Sequence, residues 1–88
     1  MQLVSFDLQQ VADREEFYRQ FAARFALTEF GSNLDALWDV LTAGVALPLR
    51  IILRHLHRHP QQAELQGIIE VMQEAEQETG GAFSVRVY

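Results

Sequence analysis

Two aspartates one helical turn apart, Asp35 and Asp39, flank Trp38 in the stretch NLDALWDVLT, residues 33 to 42. Leu34, Leu37 and Leu41 recur at helical spacing, and no basic residue lies close by in sequence. With Leu34 set at zero and about 100° per residue, Leu37, Val40 and Leu41 fall near 300°, 240° and 340°, which defines a buried arc. Trp38 falls near 40°, at its border, while Thr42, Asp35 and Asp39 form a polar strip near 80°, 100° and 140°. Like charges at i, i+4 destabilise a helix by about 0.2–0.5 kcal/mol. The macrodipole compensates Asp35 in the first turn, but Asp39 is too far along. A cation brought by a partner would relieve Asp39. A solvated polar face beside a core tryptophan would account for the same pattern.

Two other sets of side chains have chemistry to offer. His55, His57 and His59 alternate, so an extended chain would put three imidazoles on one side, a set able to ligate zinc, nickel or copper. Arg54 and Arg58 flank them and would repel a dication, so a polar connection is expected there, with no metal and no cofactor. Glu70, Glu74, Glu76 and Glu78 resemble an acid/base cluster. Carboxylates act so only when burial separates their pKa values, and Glu70, Glu74 and Glu78 fall opposite the apolar stripe of their helix. No cysteine, nucleotide-binding glycine pattern or serine elbow occurs, so an enzyme is not expected.

The elements that must position these residues follow from periodicity. QLVSFDL, residues 2–8, alternates at strand period, with Val4, Phe6 and Leu8 inward. Asp13, followed by Glu16, caps a helix over 14–26 carrying Phe17, Phe21 and Phe25 at core spacing. TEFGSN is a turn in which Gly31 is free to take positive φ, and Ser32 or Asn33 caps a second helix over 34–43 that Gly44 ends. Pro48 opens the strand LRIILRHL. A third helix over 62–78 buries Leu65, Ile68, Ile69, Met72 and Ala75, and Gly80-Gly81 break it before a last strand with Phe83, Val85 and Val87 on one face.

Helical crossovers between strands imply a parallel sheet. Each strand keeps one mixed face, so the helices are expected on a single side, giving a two-layer α/β, βααβαβ fold with strand order 1-2-3.

The length suits one domain over residues 1–88. The N-terminus lacks a signal peptide's basic region and apolar run, and the absence of cysteine fits a reducing compartment, so a cytoplasmic protein is expected. Net charge is −5 and all seven cations are arginines. Such a balance disfavours nucleic acid and anionic membranes as partners and suits a basic protein.

The run FGSNLDALWDVLTAG, entered from FALTEF and left through ALPLRIIL, resembles the barstar family of ribonuclease inhibitors; the element order and the QEA of residues 73–75 extend the likeness. The resemblance implies a three-stranded parallel sheet packed on helices, a monomer when free. It further implies a one-to-one complex with a basic, barnase-type ribonuclease, extracellular or a toxin, whose active site is blocked. Asp39 matches the family's central aspartate, which meets arginines and a histidine of the phosphate site, and Asp35 matches the aspartate at the guanine-binding side. Asn33, Leu34, Trp38 and Thr42 match further contacts, and Glu74 an acidic residue that pairs with a nuclease lysine. The family's loop aromatic corresponds here to Glu29, with Phe30 beside it, and the glycine after the threonine is Ala43. These departures suit a nuclease other than barnase, or an adaptor for a different basic partner.

Overall fold

The computed structural model describes residues 1–88, in the order β1 (Gln2–Asp7), α1 (Arg14–Arg24), α2 (Leu34–Asp39), β2 (Leu49–Arg54), α3 (Gln62–Glu78) and β3 (Phe83–Val87). A 3₁₀ turn, Leu8–Gln10, follows β1, and a π-helical turn, Val40–Gly44, continues α2. The strands are parallel in the order β1-β2-β3, as helical crossovers kept on one face predict, and Val4, Ile51 and Val85 lie in register.

Inward-facing Val4, Phe6, Leu49, Ile51, Leu53, Phe83 and Val85 meet the helices in one core. All five residues of the predicted α3 stripe are buried, as are Phe17 and Phe21 of α1. The Phe6 ring lies 5.3 Å from Phe17, and Phe25 lies 4.8 Å from Phe21 but stays half-buried. Aromatic pairs at such spacings add to area burial. Two β3 expectations shift: Val87 is 38% exposed, and Ser84 is buried at 3%, where it accepts a hydrogen bond from Arg50 Nε at 3.0 Å.

On the face away from the helices, arginines of β2 bond side chains of the neighbouring strands. Arg54 Nε donates to Ser5 Oγ at 3.3 Å, and its guanidinium sits 5.8 Å from the centre of the Tyr88 ring. Ile52, between Arg50 and Arg54 on the same face of β2, is half-buried. At the β3 edge, Thr79 Oγ1 accepts from Phe83 N (3.0 Å), Glu76 Oε1 accepts from Val85 N (2.9 Å), and Arg86 Nη1 donates to Val85 O (2.8 Å). Side chains thus occupy groups that another strand would otherwise pair with.

The ends of elements differ from expectation where the backbone turns left-handed at ordinary residues. Asp13 Oδ1 does cap α1, accepting from Glu16 N at 2.9 Å. However, α1 stops at Arg24 because Ala26 adopts φ 53°, with Leu27 N donating to Ala22 O (2.8 Å) and Ala26 N to Ala23 O (3.3 Å). The same double closure ends α3 at Gly80, φ 62°, where glycine announces it. His55, φ 68°, ends β2 at Arg54, short of the predicted Leu56.

Candidate functional site

The turn into α2 uses glycine for space, not for handedness. A Cβ on Gly31 would stand 3.3 Å from Ala36 Cβ and 3.2 Å from Asn33 Nδ2, whereas the left-handed residue is Ser32, φ 52°. Asn33 is the cap. Its Oδ1 accepts from Ala36 N at 2.8 Å, and its Nδ2 donates to Gly31 O at 3.1 Å, so this predicted contact residue also holds the helix start.

That start fixes where the aspartates point. Asp35 lies in the first turn and Asp39 is the last α-helical residue; both are exposed, and no basic side chain comes within ion-pair distance of either. Leu37 and Leu41 are fully buried, and Trp38 is half-buried against the core. The predicted buried arc is narrower than its four residues: Val40 is half-buried, and Leu34 is 37% exposed at the rim. Gly67 of α3 faces Leu34, where a Cβ would stand 3.6 Å from Leu34 Cδ1.

Past Asp39 the regular projection fails, because residues 40–44 form a π-helical turn where an α-helix through residue 43 was expected. Single π turns inside helices recur at functional sites. Thr42 is half-buried and its Oγ1 donates to Trp38 O at 2.8 Å, so the hydroxyl is used inside the helix.

Two surface depressions flank α2, and each aspartate walls one. Glu29, Phe30, Ala36, Asp39 and Val40 are among the residues around a volume of about 430 Å³ between the 26–31 loop and the helix. Arg14, Tyr18, Ser32, Asn33, Leu34 and Asp35 enclose one of about 360 Å³ at the helix start. Phe30 packs inward, its ring 5.8 Å from Tyr18 and 5.5 Å from Phe21, while Glu29 beside it is exposed. Glu74 stands apart on α3, exposed and in no ion pair.

Tyr18 carries a signal the sequence did not give. It is 3% exposed, and its hydroxyl has no hydrogen-bond partner. Burial pushes the phenol above its ordinary range, with Arg14 opposing.

The histidines do not form a common donor set. Nδ1 of His55 lies 2.8 Å from Asp7 Oδ1, a carboxylate the sequence reading did not bring near. His59 takes Gln61 N–H at Nδ1 (2.9 Å) and bonds Val11 O through Nε2 (2.7 Å), while His57 is exposed. Gln9 N–H and then His55 hold the Asp7 carboxyl below its usual range. Among the glutamates, Glu70, Glu74 and Glu78 are exposed, whereas Glu76 is half-buried at the β3 edge.

A family model described as Barstar (barnase inhibitor) matches residues 1–87. The chain belongs to the barstar family. It is also 38% identical over 58 residues to "Putative ribonuclease inhibitor YrdF" of Bacillus subtilis (strain 168), an aligned stretch covering 64% of this chain and 64% of that protein. The barstar likeness spans β1 to β3, so it takes in the capped start of α2, both aspartates and the sheet that carries them. No helix is long and apolar enough to cross a membrane.

Proposed function

We propose that the chain is an intracellular inhibitor, an immunity protein, of a barnase-type, guanyl-preferring ribonuclease, and that α2 does the inhibiting. One observation carries the reading. Asp35 and Asp39 project from a helix capped by Asn33, exposed and in no ion pair with the chain's own cations, beside a half-buried tryptophan. A ribonuclease cleft is a cluster of cations arranged for phosphate, and carboxylates can replace phosphate oxygens there through charge-assisted bonds. Asp39 takes the phosphate position and Asp35 the guanine side. Asn33, Leu34, Trp38 and Thr42 fill the surrounding surface, and Glu74 supplies a peripheral ion pair. The chain performs no chemistry of its own; it acts in the cytoplasm by occlusion, one inhibitor to one basic enzyme. Complementary charge speeds encounter, and a few buried anchors hold the complex.

The test is titration of the chain against a panel of small basic guanyl-preferring ribonucleases, reading RNA cleavage, with guanosine 3′-monophosphate as a competitor. Stoichiometric inhibition of a panel member that the mononucleotide relieves supports the reading. A nuclease that binds chain and mononucleotide together contradicts it. A second reading, an adaptor for some other basic protein, is favoured by Glu29, which brings a carboxylate to the loop beside α2. Recovery of a non-nuclease partner, with the panel uninhibited, would select it.

A further inference from the structure

The depression between the 26–31 loop and α2 has the composition of a receptor for one basic side chain. Leu27, Phe30, Ala36 and Val40 give it an apolar lining, and Glu29 and Asp39 line the same volume of about 430 Å³. Both carboxylates are exposed and neither forms an ion pair within the chain. An apolar lining with two uncompensated anions suits a long aliphatic stem ending in a cation, since arginine and lysine bury the stem while presenting the charge. Of these two, arginine fits better. Its planar guanidinium offers five donors in a rigid fork and can engage two carboxylates together, whereas an ammonium is a strongly hydrated point charge.

We propose that this depression is a specificity slot that receives a single arginine of the partner, held between Glu29 and Asp39. The slot rests on the inhibitor reading for its partner but makes a separate claim. Asp39 alone would meet any cationic cleft, while Glu29 selects partners that present one further arginine on this flank. Glu29 is therefore a specificity-determining residue. A partner whose surface is neutral or acidic at that point leaves the Glu29 carboxylate facing it without compensation, which rejects it. Two features support a prepared slot. Phe30 is locked by the Tyr18 and Phe21 rings, so the lining does not depend on the partner. Gly31 permits the loop's close approach to Ala36, which shapes the wall.

The slot is tested first without any nuclease. Nα-acetyl-arginine amide and its neutral isostere Nα-acetyl-citrulline amide are titrated to about 100 mM into the ¹⁵N-labelled chain, and amide shifts are followed. The expected result is arginine-dependent shifts at Glu29, Ala36 and Val40, absent with citrulline and weakened at least threefold in Glu29→Gln. Equal shifts from both compounds, shifts confined to the α3 glutamates, or no shift at the limit overturn the slot.

The second arm uses whichever nuclease the panel yields. Glu29→Lys should lower affinity at least tenfold and Glu74→Lys distinctly less, as a like charge in a slot repels more than one at a rim. Arginine-dependent shifts with no nuclease inhibited would leave the slot standing and remove the inhibitor reading. Inhibition that Glu29→Lys leaves intact, with no arginine-specific shift, would do the reverse.

Discussion

Tyr18→Phe removes the one buried side-chain polar atom that has no partner. The hydroxyl is buried and its desolvation goes uncompensated, which costs about 1–3 kcal/mol. The ring keeps its neighbours, with Phe17 at 6.2 Å and Phe30 at 5.8 Å, so little packing is lost beyond one oxygen's volume. Offsetting the small void, the net gain is about 1 kcal/mol. Unfolding entropy of about 2.1 cal/mol/K per residue over 88 residues is about 0.18 kcal/mol/K, so that gain raises Tm by about 5 °C. Calorimetric melting of both proteins at pH 7 reads it.

The alkaline side gives a second check with a definite sign. The folded phenol is held above 10.0, so its neutral form is preferred in the native state. Stability from that preference is full below about pH 10 and falls as pH rises toward the folded value. Tyr18→Phe should lack this part of the alkaline loss. A Tm lowered by about 5 °C would show that the hydroxyl is bonded, and an unchanged alkaline limb would show that burial does not hold the phenol up; either outcome overturns this assignment.

Other perturbations have equally direct readouts. Asp39→Asn removes the i, i+4 repulsion with Asp35 and should stabilise the fold by about 0.2–0.5 kcal/mol, measured by urea denaturation, while weakening nuclease binding. Ala26→Gly places glycine in the left-handed closure of α1, φ 53°. Relief of about 1–2 kcal/mol of left-handed strain outweighs glycine's extra chain entropy, so urea denaturation should show a gain of about 0.5 kcal/mol. The depressed Asp7 carboxyl contributes stability above about pH 3.8 that is lost as pH falls through its lower folded value. Asp7→Asn should therefore give a shallower fall in Tm between pH 5 and pH 2.

The layout of the fold was readable from the sequence because its signals are local and redundant. Strand alternation put Val4, Phe6, Ile51 and Val85 inward, and the α3 stripe, from Gln62 to Glu78, matches residue for residue. One mixed face per strand sufficed to put all helices on one side. What stayed hidden has no local signature. Ala26, Ser32, His55 and Arg58 take left-handed φ where the sequence shows no glycine, so α1 and β2 end early. The π turn at Val40–Gly44 is equally silent, and it ends the α-helix at Asp39 where the periodicity runs on through residue 43. Asp7 and His55 lie 48 positions apart, and only the parallel pairing of β1 with β2 joins them. Asp35 and Asp39 were identifiable as a strip; that each walls a separate depression needed the path of the 26–31 loop.

On the proposed function, α2 offers its two carboxylates in place of RNA phosphates. The most direct measurement is the dissociation rate of the inhibitor–nuclease complex for the wild type, Asp35→Ala and Asp39→Ala. Truncating one partner of a buried charge pair acts chiefly on dissociation and costs about 2–5 kcal/mol, though part of that scale was itself measured on a barnase–barstar complex and is a family expectation. Complexes of both variants should dissociate at least tenfold faster, Asp39→Ala the more so, with melting temperatures within a few degrees of wild type. Variants that leave the nuclease as slowly as the wild type would contradict it.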